Sequence, residues 1–153
     1  LPFMNAWDQI SRKYDPTRYQ IVEKLDDIEK AMNYLSGRNS ERSVYARLSD
    51  AKDAEQTKKV QLSYFTVTFY KKGTCHLEFT DLEILKKLNI FGSQKKGWLP
   101  PSYGKKKYRD MSDEEQAVIN EFEGEVEYKK TLEKADFYIY DPSNSVLSLE
   151  MAG

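Results

Sequence analysis

The run Phe65-Thr-Val-Thr-Phe-Tyr-Lys-Lys-Gly-Thr-Cys-His-Leu-Glu-Phe79 decides the fold class. Phe65, Val67 and Phe69 alternate with Thr66 and Thr68, the period of two that marks a half-buried strand. Lys71 to Thr74 reads as a turn, with Gly73 able to take a positive φ. Cys75, Leu77 and Phe79 then alternate with His76 and Glu78 on a return strand. Two strands this close in sequence pair antiparallel, and the patterns on either side of them are helical.

Downstream, Thr80-Asp-Leu-Glu83 has the form of a capping box, in which hydroxyl and carboxylate satisfy each other's unpaired amides. It predicts a short helix with Leu82, Leu85 and Leu88 inward. Phe91 to Tyr108 holds three Gly and two Pro, which predicts an extended loop. A second box, Ser112-Asp-Glu-Glu115, opens a helix carrying Val118, Ile119 and Phe122 and stopped by Gly124. A further helix is expected over Val126 to Lys134. Phe137 to Tyr140 and Val146 to Leu149 read as strands of a second hairpin, turned at Asp141-Pro-Ser-Asn144.

Upstream, Asp15-Pro16 supplies an N-cap and a first-turn proline. Ile21, Leu25, Ile28, Met32 and Leu35 recur at helical spacing, and Gly37 is a C-terminal stop. Val44, Tyr45 and Leu48 anchor a short helix, and Ser49 to Lys59 reads as a frayed helix or linker. The expected fold is α+β: a small antiparallel sheet built from two hairpins, with helices packed on one face. Residues 1–60 form an N-terminal helical segment. Residues 61–153 form an α+β domain with a basic aromatic loop at 89–109, the whole being one structural domain.

Composition narrows the function classes. The 153 residues carry a net charge of −1, so no global field draws the protein to nucleic acid or a membrane. Aromatics make up 13%, eleven of them Tyr, and supply large buriable groups. One cysteine forbids an intrachain disulfide and leaves a structural zinc site without ligands. No apolar run approaches the ~18 residues of a membrane span. Leu1-Pro-Phe-Met4 lacks an initiator Met and the order of a signal peptide. That reads as a piece of a longer cytoplasmic chain.

Catalytic patterns are weak. Cys75 and His76 are strand neighbours and face opposite sides, which argues against a dyad. Glu78 shares a face with His76, too little for a metal site. There is no Gly-x-Gly-x-x-Gly and no Gly-x-x-x-x-Gly-Lys-Ser/Thr. Leu99-Pro-Pro-Ser-Tyr103 lacks the acceptor that amino-methyltransferases place before Pro-Pro. Ten acids against three lysines between Asp110 and Asp136 read as a solvated helical face, in which a carboxylate pair could hide. Neither a catalytic residue, a cofactor nor a metal is therefore assigned.

Lys86 to Arg109 differs, with eight basic residues and no acid. The candidate nucleic-acid contacts are Lys95, Lys96, Trp98, Tyr103, Lys105, Lys106, Lys107, Tyr108 and Arg109. Cations neutralise phosphates, flat rings stack on bases, and Gly92, Gly97 and Gly104 allow close approach. Two blander readings compete. Trp98 and Leu99-Pro100 plug the core while the lysines solvate a loop, or the loop pairs with the acidic stretch.

Phe69 to Phe79, Leu88-Asn-Ile-Phe-Gly92, Gly97-Trp-Leu-Pro-Pro-Ser-Tyr-Gly104, Tyr108-Arg-Asp-Met111 and Phe122-Glu-Gly124 together resemble a bacterial and phage domain family of unknown function. The resemblance covers about residues 62–140. It implies a neighbourhood, since members often sit C-terminal to class I S-adenosylmethionine-dependent methyltransferases in prophages and plasmids. It brings no catalytic residues. The expectation is a non-catalytic nucleic-acid-binding accessory domain of a phage or mobile-element protein, associated with a methyltransferase. Its partner would be DNA or another nucleic acid, a methyltransferase or a host protein, and not a membrane. The alternatives are a protein-interaction module or phage-encoded inhibitor of a host defence, and a small carboxylate-dependent hydrolase or nuclease.

Overall fold

The computed structural model describes residues 4–139. It is an α+β protein, and among the described residues six helices accompany one three-stranded antiparallel sheet. The chain divides into two compact units, with the boundary after Leu85.

In the first unit, α1 (Tyr19–Ser36) buries Ile21, Leu25, Met32 and Leu35 and stops at Gly37, where φ is 71°. Asp15 does not cap it. Its carboxylate accepts the amide and hydroxyl of Thr17 at 2.9 and 2.5 Å, so Asp15-Pro16 makes a turn before the helix and Arg18 takes the N-cap position. The next helix, α2 (Val44–Asp53), is capped by the Ser43 side chain, which accepts from the Ala46 amide, and it buries Val44, Leu48 and Ala51.

Strands β1 (Val60–Gln61), β2 (Phe65–Tyr70) and β3 (Thr74–Phe79) lie in the order β1-β2-β3. Register pairs Phe65 with Phe79 and Phe69 with Cys75. Phe65, Val67 and Phe69 are buried, as the alternation requires. Gly73 turns the hairpin at φ 94°, and the Met4 amide donates to its carbonyl at 3.0 Å. Cys75 is buried and His76 is exposed, its ring 5.3 Å from that of Tyr70.

A charge lies inside this unit. Glu29 is only 2% exposed, placed four residues after Leu25 and three before Met32, on the apolar stripe itself. Its carboxylate pairs with the Arg47 guanidinium and accepts from the Ser63 amide at 2.8 Å and the Ser40 hydroxyl at 2.9 Å. Burial alone would raise the Glu29 carboxyl. The Arg47, Ser63 and Ser40 hydrogen bonds outweigh it and hold the group below its ordinary value. Beside it the Tyr64 hydroxyl donates to Asn33 Oδ1 and shares a hydrogen bond with Ser36, both at 2.7 Å.

The next helix, α3 (Leu82–Lys95), starts one residue later in the capping scheme than Thr80-Asp-Leu-Glu83 predicts. Asp81 Oδ1 accepts the Ile84 amide at 3.1 Å, so the carboxylate outcompetes the Thr80 hydroxyl for the cap. Leu82 is consequently 68% exposed, and Ile84 and Ile90 are the buried residues instead. The helix also runs through Phe91 to Lys95, which the loop expectation excluded. It ends before Gly97 at φ 71°.

Past α3, the 3₁₀ turn Tyr108–Asp110 leads to α4 (Asp113–Phe122), α5 (Gly124–Glu133) and α6 (Ala135–Tyr138). The Ser112–Glu115 capping box forms as expected, and Gly124 separates α4 from α5 at φ 84°. Phe137 and Tyr138 are helical, which overturns the expected strand there. Tyr140 and Val146 to Leu149 lie outside the described residues. Ile90, Leu99, Tyr103, Met111, Ile119, Tyr128 and Tyr138 make the core of this second unit. No helix of the described residues is long and apolar enough to cross a membrane.

Glu29→Ala strands the Arg47 charge in the interior and is expected to cost about 3–5 kcal/mol in urea unfolding. Because the folded carboxyl is depressed, its stabilisation is present above the ordinary carboxylate value and is lost as pH falls below it. In Glu29→Gln that acid-side loss is expected to be smaller than in the parent.

Candidate nucleic-acid interface

The loop between Gly97 and the 3₁₀ turn is held from beneath by two tyrosines. Tyr103 is fully buried, its ring 5.2 Å from that of Tyr128 and 5.9 Å from that of Phe122. Its hydroxyl donates to Glu123 Oε1 at 2.6 Å. Burial, then the Glu123 carboxylate, push that phenol far above its ordinary value, so it stays a donor. The Tyr128 hydroxyl accepts the Gly104 amide at 3.2 Å and donates to the Lys106 carbonyl. One side chain on α5 thereby satisfies two backbone groups of the loop.

Glu115, from α4, ties down two side chains of the loop. It accepts from the Ser102 hydroxyl, from the Ser112 amide at 3.1 Å and from Lys106 Nζ at 3.4 Å. The Ser102 hydrogen bond, followed by the Ser112 amide, lowers its carboxyl to about 2. Gln116 Nε2 donates to the Tyr108 carbonyl at 2.9 Å, and the Tyr108 hydroxyl donates to Asn120 at 2.9 Å.

Gly104 sits at φ +79°, and a Cβ there would lie 2.5 Å from Ile139 Cδ1 and Cγ1. Glycine is required twice over, by backbone conformation and by space.

The predicted contact residues thus separate. Lys95, Lys96, Lys105, Lys107 and Arg109 are exposed. Lys105, Lys107 and Arg109 make no ion pair or side-chain hydrogen bond among the described residues. Trp98 is 64% exposed, and Lys96 Nζ stands 4.7 Å from its ring centroid, an attraction of roughly 0.5–1 kcal/mol at an exposed site. Leu99, not the indole, is the buried plug. Tyr103 offers no face to a ligand, Tyr108 is half-buried, and Lys106 is engaged by Glu115. Lys86, from the start of the basic stretch, lies 3.8 Å from Glu123 and 3.7 Å from Glu127, and Lys87 Nζ lies 4.6 Å from the Phe137 ring. The acidic helices neutralise part of the basic stretch and, among the described residues, leave Lys105, Lys107 and Arg109 without an ion pair.

Sequence reasoning placed Glu123 only within an acidic stretch that could pair with the loop, and it missed Tyr128, which orders the loop, and the buried Glu29–Arg47 pair. Glu29 carried a signal in its stripe position; Glu123 carried none, being one acid among ten. Among the described residues no three of His, Cys, Asp and Glu converge as a metal site would require.

A family model described as Domain of unknown function (DUF4942) matches residues 4–98, well over half of the chain. The matched stretch holds the hairpin, Leu88 to Gly92 and Trp98, and ends before Leu99 to Gly104. No curated protein and no solved structure matches the chain.

Two outcomes follow for the loop. Gly104→Ala is expected to cost roughly 1–2 kcal/mol in backbone strain and about 1–3 more in overpacking, whereas Gly97→Ala, with nothing within 4 Å of a Cβ, incurs the first cost alone; thermal melts of the pair measure the difference. Tyr128→Phe removes the partner of two backbone groups and is expected to cost about 1–3 kcal/mol. Its signature is faster hydrogen exchange at the Gly104 amide while α4 and α5 keep their protection.

Proposed function

This chain belongs to the family of domains of unknown function DUF4942, and we propose that it acts as a non-catalytic nucleic-acid-binding accessory domain. The observation that carries the reading is the exposed set Lys105, Lys107 and Arg109, without an ion pair among the described residues, following an exposed Trp98 on a loop tied down from below. A held loop loses little conformational freedom when a ligand binds, so its cations act at low entropic cost. Phosphate neutralisation releases condensed counterions, which supplies the affinity. The resemblance to domains found beside methyltransferases in prophages and plasmids supports DNA as the polymer and a cytoplasmic mobile-element protein as the setting.

The exposed indole with a flanking cation also suits the centre of a protein interface, where Trp and Arg concentrate binding energy. Ionic strength separates the two readings. Nucleic-acid affinity falls steeply with salt, and a Trp-centred protein contact much less so.

The test is fluorescence anisotropy of a labelled oligonucleotide against salt. Lys105→Ala/Lys107→Ala/Arg109→Ala is expected to reduce the slope of log affinity on log salt by roughly two to three. Lys106→Ala, whose charge is already met by Glu115, is expected to change it by much less. A flat salt response, or a triple variant that binds as the parent does, overturns the proposal.

A further inference from the structure

We infer that the ligand of this loop is a single-stranded nucleic acid, with one unpaired base stacked on Trp98 and an adjoining phosphate met by Lys96. The inference rests on the nucleic-acid reading above and adds the strandedness.

A base inside a duplex is covered on both faces by its neighbours, whereas an unpaired base offers a free face to an aromatic side chain. In the second unit Trp98 supplies such a surface. Tyr103, Tyr128 and Tyr138 are buried, and Trp98 is 64% exposed. Lys96 Nζ lies over the indole, 4.7 Å from its centroid, and its flexible four-carbon stem lets it leave that face to an incoming base and follow the adjoining phosphate.

The remaining charges argue against duplex recognition. Reading a major groove calls for a helix or a two-stranded ribbon with cations on its outer face. The exposed positions of α4 and α5 carry Asp113, Glu114, Glu121, Glu125 and Glu127, and the exposed Lys129 and Lys130 are already paired with Glu125 and Glu127, so the balance of charge on these helices repels phosphates. Lys105 and Lys107 on the loop and Arg109 on the 3₁₀ turn Tyr108–Asp110 make no ion pair among the described residues and mark a path suited to a flexible single strand.

The experiment uses the full chain in a Trp7→Phe background, so that indole fluorescence reports Trp98 alone. It is titrated with oligothymidylate, with oligouridylate and with a mixed-sequence hairpin duplex of equal phosphate count. Stacking predicts quenching on adding the single strands and at least about tenfold tighter binding than to the duplex. The tighter of the two single strands identifies the sugar. Trp98→Ala is expected to weaken single-strand binding roughly five- to a hundredfold, Trp98→Phe to restore most of it, and duplex binding to stay unchanged. Duplex binding as tight as single-strand binding, with Trp98→Ala neutral and the salt slope still steep, overturns the single-strand inference and leaves the proposed function standing. Absence of binding to all three ligands overturns both.

Discussion

The hydroxyl of Tyr128 is the point on which the candidate interface depends. A Gly- and Lys-rich loop has little apolar surface beyond Leu99 and Tyr103 with which to order itself, and the mutual repulsion of its cations opposes compaction. Order has to come from groups under it. Tyr128 reaches the Gly104 amide and the Lys106 carbonyl, Tyr103 buries its ring and donates to Glu123, and Glu115 gathers Ser102 and Lys106. These contacts point inward, and the uncompensated cations are what remains on the outside.

The first unit solves a related problem in its interior. Glu29 occupies a position on the apolar stripe of α1 where Ile28 beside it is only half-buried. A carboxylate there is tolerable because Arg47 from α2 and the Ser63 amide at the entry to β2 arrive with matching donors. Among the described residues no buried side-chain polar atom is left without a partner. The pair therefore ties α1 and α2 to the sheet, and nothing about it calls for a ligand.

How far the fold was legible follows from how local each signal is. The Phe65–Phe79 hairpin needs a period of two and one turn glycine, both visible in fifteen residues. The Ser112–Glu115 box is equally self-contained. Thr80-Asp-Leu-Glu83 misled because two adjacent side chains compete for the same amides, and Asp81 is the better acceptor. Asp15 was lost to Thr17 in the same way. Phe137-Tyr-Ile-Tyr140 is the ambiguity of any short apolar run, in which period alone does not separate strand from helix. At the site, the excess of cations was plain, but the fate of each ring was not. Tyrosine is at home inside or outside. Burial of Tyr103 was decided by partners twenty residues or more away in sequence, Glu123 and Tyr128.

Anchoring the loop through its backbone and through rings on its underside separates architecture from recognition. Among the described residues the side chains of Lys105, Lys107 and Arg109 make no hydrogen bond or ion pair that holds their own segment in place, so replacing them carries little folding penalty. On the proposed reading, preference for one polymer, sequence or partner over another drifts by substitution at these outward positions while the scaffold persists.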